Sequence, residues 1–285
     1  MYKAAIISKP QKPELADILR ELTAWLAQRD YETLLDPHSA SYLGSPVSVQ
    51  RSEMPKYRPN IVIVLGGDGT LLAAARAFAH FPTPILGVNL GSLGFLTEVP
   101  LSDLYPALDA WCDNCASIEE RDMMHIELKR SGKIVKHWDA LNDIVVSKGA
   151  IARMADFSVE IDQQFVGSMR ADGLIICTPT GSTAYNLAAN GPIVMPSVSA
   201  MVVTPICPHL LTIRPIVVPG DSTVTIHIEG VPNLTYLTVD GQEAIELEMG
   251  DEVLCCRSEH SVHLLRPRRN GLFNVLRSKL SWGER

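Results

Sequence analysis

Residues 61–76 have the sequence IVIVLGGDGTLLAAAR, in which an apolar run, a glycine-rich turn and a second apolar run follow one another. The first five residues, mostly β-branched, predict a strand that is buried on both faces. The glycines at 66, 67 and 69 allow the backbone to turn sharply and to approach a ligand closely. The alanine- and leucine-rich run that begins at Leu71 predicts a helix. A strand, a glycine turn and a helix N-terminus together favour an anion site, because N–H groups and the positive end of the helix dipole point at the bound group.

Asp68 is unexpected within such a turn, because a carboxylate repels phosphate groups. Its presence suggests two roles: it holds a metal ion that neutralises the phosphates, or it accepts a proton from a hydroxyl group undergoing phosphorylation. The turn is not a P-loop, since no Gly-Lys-Ser/Thr follows, and Leu72 replaces the third glycine of the GxGxxG dinucleotide fingerprint. The alternative is a tight turn in which Asp68 serves only as the helix N-cap.

The composition limits the class of protein. A chain of 285 residues with 46% hydrophobic residues can form a large core and two domains, and 20% charged residues argue against disorder. The net charge of −7 argues against a nucleic-acid-binding protein. The sequence shows neither a secretory signal nor an apolar run of membrane-spanning length, so we expect a cytoplasmic protein with no membrane partner.

Strands and helices alternate in the first part of the chain, which predicts an α/β domain with a parallel sheet. The predicted strands are 3–8, 31–35, 61–65 and 84–89. A second glycine turn, residues 91–95, follows the fourth strand. Because ligands bind at the carboxyl ends of parallel strands, the two glycine turns are expected to line one crevice. The polar, proline- and serine-rich residues 37–59 predict a loop.

Beyond about residue 118 short strands dominate, and helical periodicity is scarce apart from a short segment that begins near Thr183. We therefore expect an α/β domain over residues 1–118 and a β-rich domain over residues 119–267. Residues 272–280 predict a helix that returns to the first domain, which residues 268–285 would complete.

Three polar segments stand out in the second part of the chain. Residues 178–186, with the sequence TPTGSTAYN, predict a turn rich in hydroxyl donors. They include Tyr185, whose ring can stack on a base or a ribose. The alternative is a solvated loop. Asn142-Asp143 interrupts an apolar strand and needs partners, which a sugar diol or a nearby loop would supply. Asp240-Gly241-Gln242 predicts a hairpin turn, with a ligand role for Gln242 as the alternative.

With these segments in order, the chain resembles the NAD kinase family over nearly its whole length. The glycine pentapeptide 66–70 is shared with diacylglycerol and sphingosine kinases and, more loosely, with phosphofructokinases, whereas residues 178–186 are far more specific. The matching segments are Gly66–Thr70, Gly91–Phe95, Asn142-Asp143, Asp172-Gly173, Thr178–Asn186 and Asp240–Gln242.

The resemblance implies transfer of the γ-phosphoryl group of ATP to the 2′-hydroxyl of the adenosine ribose of NAD, with Asp68 as the proton acceptor. It also implies Mg²⁺ or another divalent cation, with no metal ligand assigned, and assembly as a homodimer or homotetramer. The positions that match NAD contacts are Asp68, Gly69, Phe95, Asn142, Asp143, Arg153, Arg170, Asp172, Thr183, Ala184, Tyr185, Asn186, Leu187, Ala188 and Gln242. The positions expected to bind ATP phosphates are Gly66, Gly67, Gly69 and Thr70.

The chain departs from the family pattern at two positions. Asp143 stands where the family usually has Glu, so its side chain is one methylene shorter, and Ala188 lacks the usual serine hydroxyl. Two other functions stay open at this point: a lipid kinase of the diacylglycerol or sphingosine type, and a non-catalytic sensor of NAD or NADP. The sequence does not distinguish NAD from NADH as acceptor or ATP from polyphosphate as donor, and His209 is either a packing residue or a catalytic one.

Overall fold

We describe the protein from a computed structural model, which covers residues 1–91, 93–149, 154–210, 212–230, 235–266 and 272–281. The chain divides into two compact units, residues 1–120 with 261–285 and residues 121–260. The predicted domain limits, 1–118 with 268–285 and 119–267, stay predictions.

The strands are β1 (Tyr2–Ser8), β2 (Tyr31–Leu35), β3 (Ile61–Leu65), β4 (Ile85–Asn89), β5 (Val99–Pro100), β6 (Ser117–Arg130), β7 (Lys133–Ala140), β8 (Asp143–Lys148), β9 (Ala155–Ile161), β10 (Gln164–Ala171), β11 (Gly173–Cys177), β12 (Ala200–Ile206), β13 (Ile216–Pro219), β14 (Val224–Gly230), β15 (Thr235–Val239), β16 (Glu243–Leu247) and β17 (Glu252–Arg266). The helices are α1 (Leu15–Ala27), α2 (Pro37–Leu43), α3 (Asp68–Phe78), α4 (Leu104–Cys112), α5 (Tyr185–Ala188) and α6 (Leu272–Leu280). Short 3₁₀ turns occupy Met54–Tyr57, Leu101–Asp103 and Gly181–Thr183.

The first unit is built on a parallel sheet, as the sequence predicts. Its strand order is β2-β1-β3-β4, and β5 pairs in parallel with β4. All five residues of β3 are buried, because helices cover both faces of a parallel sheet. The apolar side of α1, with Leu15, Leu19 and Leu22, packs in the same core as Ile63. This core holds the carboxyl ends of β3 and β4, from which the two glycine turns emerge.

The prediction of a loop over residues 37–59 is wrong in its first part. Helix α2 begins at Pro37, with Asp36 as its N-cap, and ends at Leu43, with Gly44 as its C-cap; the φ of 64° at Gly44 is the left-handed conformation that glycine favours. The Asp36 carboxylate accepts from the Ser39 N–H at 2.8 Å and pairs with Arg51 Nη2 at 2.7 Å. The Asp-Pro pair and the glycine at the end of the helix were the sequence signals of its two ends.

The second unit is β-rich, as predicted. One antiparallel sheet has the order β13-β12-β11-β8-β15-β16. A second set of antiparallel strands includes β10-β9-β14-β17 and the hairpin of β6 and β7. Residues from both, among them Ile126, Ile176 and Phe157, form one apolar core. The short helix α5 is close to the position that the sequence predicts.

Helix α6 confirms the predicted C-terminal helix and belongs to the first unit. Among the helices of the described residues, none combines the length and the apolar character needed to cross a membrane.

Candidate active site

Asp68 is the first residue of α3 and not its N-cap. The N-cap is Gly67, which has an extended backbone (φ −102°, ψ −172°) and no side chain with which to cap the helix. The interpretation of Asp68 as a capping residue is therefore wrong. Its carboxylate is engaged elsewhere, and those partners define the surroundings of the predicted catalytic residue.

Phe95, at the end of the second glycine turn, and the next two residues supply four hydrogen-bond donors to the Asp68 carboxylate. Oδ1 accepts from the N–H groups of Leu96 at 3.2 Å and Thr97 at 3.0 Å and from Thr97 Oγ1 at 2.9 Å. Among the described residues, the one donor to Oδ2 is the Phe95 N–H, at 2.9 Å. A carboxylate has about four lone-pair sites, two on each oxygen, so Oδ1 is saturated and Oδ2 retains capacity for one more donor. The two glycine turns are therefore in direct contact through Asp68 and Phe95.

The glycines of the two turns have different physical roles. A Cβ at Gly94 would lie 2.1 Å from Asp68 Oδ1 and 2.3 Å from Thr97 Oγ1, so only glycine lets this loop approach the carboxylate. A Cβ at Gly66 would lie 2.5 Å from Thr70 Oγ1. At Gly67 and Gly69, in contrast, no described atom lies within 4 Å of the Cβ position. Those two glycines border open space, where the sequence places a bound phosphate.

Arg266 supports the loop that holds Asp68. Its Nη1 donates to the Leu96 carbonyl oxygen at 3.1 Å, its Nε donates to Glu119 Oε2 at 2.9 Å, and its Nη2 lies 3.3 Å from Glu98 Oε1. Arg266 and Glu98 are both buried. No pattern in the sequence pointed to this residue, because 170 positions separate it from Leu96.

In the second unit the three polar segments come together around Asp240. Its carboxylate accepts from the N–H groups of Leu141 at 3.1 Å, Asn142 at 2.8 Å and Asp143 at 3.2 Å. Thr178 joins the same loop, since its Oγ1 donates to the Leu141 carbonyl oxygen at 2.6 Å and its N–H donates to the Asn142 carbonyl oxygen at 2.9 Å. Residues 240–242 form a turn, as predicted, but the sequence pattern did not indicate the organising role of the Asp240 side chain.

The residues expected to contact the dinucleotide differ in accessibility. The Asn142 side chain is half-buried, and its amide has no hydrogen-bond partner among the described residues. Tyr185 is 48% exposed. Thr183, Ala184 and Leu187 are half-buried and Ala188 is exposed. The structure therefore leaves an amide, an aromatic ring and a short backbone segment accessible in this part of the second unit.

Asn186 has surroundings other than those expected for a ligand-binding residue. It is 0% exposed, and its Nδ2 donates to the carbonyl oxygens of Ser182 at 3.0 Å and Pro192 at 2.9 Å. Its Oδ1 accepts from Thr204 Oγ1 at 2.6 Å. This side chain holds the turn at 182–192 together from inside, so direct contact between Asn186 and a ligand stays a prediction that the packing does not favour.

Asp143 lies at the first position of β8, where it is 5% exposed. Burial, followed by the negative charge of Asp240, raises the pKa of its carboxyl group to about 7. Among the described residues, no side chain or backbone group makes a hydrogen bond to that carboxyl group. The predicted sugar-binding acid is thus present, but its charge at neutral pH differs from that of an ordinary aspartate.

The other residues predicted to contact the dinucleotide form ion pairs or lie in a turn. Arg170 forms a two-point ion pair with Asp156, at 2.6 Å and 3.0 Å, and the Asp172 carboxylate lies 2.7 Å from Lys148 Nζ. Gln242 is exposed and completes the hairpin turn between β15 and β16, which confirms that turn. Arg153 and Ser92, the latter within the second glycine turn, lie outside the described residues.

His209 lies beside Arg170, since its N–H donates to the Arg170 carbonyl oxygen at 2.9 Å. Both residues border an open groove of about 360 Å³ in the second unit. Across the described ranges, no three His, Cys, Asp or Glu side chains are grouped so that they could hold a metal ion.

Comparison with known proteins identifies the family. Residues 4–114 match the model of the ATP-NAD kinase N-terminal domain, and residues 141–267 match that of the ATP-NAD kinase C-terminal domain. The chain is 58% identical to the NAD kinase of Acidobacterium capsulatum and 49% identical to that of Koribacter versatilis, with 100% of both chains covered in each comparison.

Solved structures agree with this match. The crystal structure of yeast NADH kinase complexed with NADH is 26% identical, with a TM-score of 0.91 over 100% of this chain and 89% of that one. An NAD kinase from Archaeoglobus fulgidus in complex with ATP has the same fold, at 23% identity, a TM-score of 0.76 and 98% coverage of both chains.

An α/β unit with a Gly-Gly-Asp-Gly-Thr turn, joined to a β-rich unit, defines a class of phosphotransferase. The chain belongs to the ATP-NAD kinase family. The resemblance and the fold class expected from the sequence are thereby confirmed, and the family match does not favour the lipid-kinase or sensor alternatives.

Proposed function

We propose that this protein transfers the γ-phosphoryl group of ATP to the 2′-hydroxyl of the adenosine ribose of NAD, giving NADP, with Asp68 as the general base. The observation that carries the assignment of the base is the unequal occupation of its two oxygens. In the part of the chain that the structure describes, three donors saturate Oδ1, whereas Oδ2 has one. Membership of the ATP-NAD kinase family supports the substrates.

The hydrogen bonds to Asp68 would orient the base before the substrate arrives. The donors to Oδ1 are the backbone N–H groups of Leu96 and Thr97 and the Thr97 hydroxyl group. Arg266 anchors the loop that contains them by donating to the Leu96 carbonyl oxygen. The plane of the carboxylate is therefore defined by the protein, and Oδ2 is the atom left to accept the proton of the 2′-hydroxyl. Phosphoryl transfer depends mainly on such positioning and on charge stabilisation, because the protein has little covalent chemistry to perform.

The ATP phosphates would lie against the open side of the first glycine turn. Gly67 and Gly69 have no described neighbours on the side where a Cβ would project, and α3 begins at this point. A helix N-terminus favours negative charge. Gly66 and the buried Thr70 pack against each other, so we assign them a role in shaping the turn.

A divalent cation such as Mg²⁺ is compatible with this arrangement. Mg²⁺ in phosphoryl transfer usually binds substrate phosphates and water together with one or two carboxylates. The lone-pair position that the described donors leave on Asp68 Oδ2 is assigned to the proton of the 2′-hydroxyl, so the ion would be held through the ATP phosphates and water. When bound, the ion would neutralise phosphate charge. Asp68 would accept the proton and the glycine turn would bind the phosphates.

The dinucleotide would be recognised by the Asp240-centred cluster of the second unit. The Asn142 amide would pair with a ribose hydroxyl, and the exposed Tyr185 ring offers a face for a base or a ribose. Ala184, Leu187 and Ala188 would complete the wall by backbone and apolar contact. Thr183, Arg170, Asp172, Gln242 and Arg153 stay proposed contacts, and so do the homo-oligomeric state and the cytoplasmic location.

The test is acceptor specificity. Purified protein with ATP and Mg²⁺ is expected to form NADP from NAD, and the same protein is offered NADH, diacylglycerol and sphingosine in parallel. Phosphorylation of a lipid but not of NAD would contradict the proposal. Binding of NAD with no turnover under any donor, ATP or polyphosphate, would instead identify a sensor.

A further inference from the structure

The Asp143 carboxyl group lies against an apolar cluster. In the antiparallel pair of β8 and β11, Asp143 is opposite Cys177. Side chains alternate along a strand, so Asp143 is on the same face of β8 as Val145. Val145, Ile175 and Cys177 belong to one buried apolar cluster. An ionised carboxylate at this position would lose hydration without gaining a compensating neighbour.

The neighbouring carboxyl group, Asp240, has the opposite surroundings. Three backbone N–H groups donate to it, and one of them belongs to Asp143 itself. Charge-assisted hydrogen bonds of this kind stabilise a carboxylate. When two close carboxyl groups cannot both ionise easily, the one with more donors takes the charge. Below about pH 7, Asp240 therefore carries the negative charge and Asp143 retains the proton.

The other titratable group facing Asp143 reinforces this assignment. Burial, and then the proximity of Asp143, raises the pKa of the Cys177 thiol, which stays neutral. Among the described residues, the charged and titratable groups that act on Asp143 are therefore Asp240, from the turn after β15, and Cys177, from β11. Neither is a cation that would favour ionisation of Asp143.

We propose that Asp143 meets the dinucleotide as a neutral carboxylic acid and donates a hydrogen bond to one of its oxygen atoms. The proton stays on Asp143 throughout, so the group is a positioning and specificity residue and takes no part in the transfer. This inference rests on the proposed function, because Asn142-Asp143 is part of the proposed dinucleotide site. It differs from a conventional ribose contact, in which an ionised carboxylate accepts from hydroxyl groups.

The consequence is that dinucleotide affinity depends on pH. Above neutrality the free protein loses the Asp143 proton, and binding must take it up again, which weakens the apparent affinity by at most about tenfold per pH unit. The phosphates of NAD do not change charge in this range. A pH-dependent Kd for NAD therefore reports the protein.

Isothermal titration of NAD, without ATP, tests this directly at about pH 6 and about pH 8.5. For the wild type we expect Kd to rise roughly thirtyfold between these values, and at the higher pH we expect binding to take up close to one proton, measured in buffers of different ionisation enthalpy. Asp143→Asn keeps a donor that cannot ionise, so its Kd should stay near the low-pH wild-type value. Asp221→Asn, at an exposed loop position, is the matched control and should follow the wild type.

Several results would overturn the inference. One is wild-type binding with no proton uptake at pH 8.5. Another is weakening by tenfold or more in Asp143→Asn already at pH 6, which would show that an ionised acceptor is needed. The wild-type proton uptake is decisive even if a variant does not fold. Because NADP formation by the wild type is measured separately, failure of the proposed function is distinguished from failure of this inference.

Discussion

Two aspartates in this protein have opposite surroundings. Asp68, at the start of α3 in the first unit, receives four hydrogen bonds from residues 95–97. Asp143, at the start of β8 in the second unit, is 5% exposed. Among the described residues, no group makes a hydrogen bond to its carboxyl group. The first arrangement fixes the orientation of a carboxylate group, and the second favours a neutral group that keeps its proton. The number of donors around a carboxyl group, and not its residue type, decides what it can do.

The strongest test of this comparison is Asp68→Asn. The substitution removes the base and also places an NH₂ group against one of the donors from residues 95–97. We expect kcat to fall by about 10²–10⁴-fold, the usual contribution of a general base. NADP formation and the Kd for NAD are measured together with thermal unfolding. Retention of wild-type turnover by a folded variant would contradict the role of Asp68.

Arg266→Ala tests whether the loop around Asp68 depends on its buried support. The change removes the buried guanidinium group that lies 3.3 Å from Glu98 Oε1 and donates to the Leu96 carbonyl oxygen. We expect the free energy of unfolding to decrease by about 3 kcal/mol, as for other broken buried ion pairs. The control is Arg257→Ala, whose ion pair with Asp122 at 2.8 Å is exposed and should contribute less than about 1 kcal/mol. Equal effects in urea denaturation would argue against a special role for Arg266.

Gly94→Ala tests the geometry of the base without changing any polar group. The new methyl group would start 2.1 Å from Asp68 Oδ1, so the loop or the carboxylate must move. A displacement of about 1 Å at a catalytic group can lower the rate by about 10²-fold, and we expect a loss of this order in kcat. Gly91→Ala, where no described atom lies within 4 Å of the new Cβ, is the matched control. If both variants had the same turnover, the close approach of Gly94 would have no functional meaning.

Asp143→Asn tests the second half of the comparison through stability. The pKa of Asp143 is about 7 in the folded protein, against about 3.9 in an unfolded chain. The folded state therefore binds more protons between about pH 4 and pH 7, and the wild type loses stability as the pH rises through that window. Above the window, at about pH 8, Asp143→Asn should be more stable than the wild type by about 4 kcal/mol, with a difference near zero at about pH 4. A constant difference across pH, measured by urea denaturation, would show that Asp143 does not titrate in this way.

Sequence patterns predicted most of the fold correctly, and the reasons are local. The five apolar residues of β3, the glycine turn and the helix that follows depend on backbone preferences of adjacent residues. The parallel sheet of the first unit and the antiparallel strands of the second follow from the same kind of pattern. The error at residues 37–59 was also local, since the capping signals of α2 were present in the sequence and were outweighed by its proline and serine content.

The candidate site was predicted only in part. The polar segments were found because each has an unusual composition, and the structure brings three of them together around Asp240. The sequence did not predict that the Asp240 side chain would hold these segments together, because 97–99 positions separate Asp240 from its partners. Asn186 illustrates the same limit, because a match to a family motif does not show whether a side chain faces a ligand or the interior.

By itself the sequence determined the order of the strands and helices, the places where glycine turns interrupt them and the family resemblance, because each of these depends on residues that are close in the chain. Only the tertiary structure decided that Asp68 is surrounded by donors and that Asp143 is not. The physical reason is that burial and hydrogen bonding, which govern the charge of a carboxyl group, come from residues that folding brings together from distant positions.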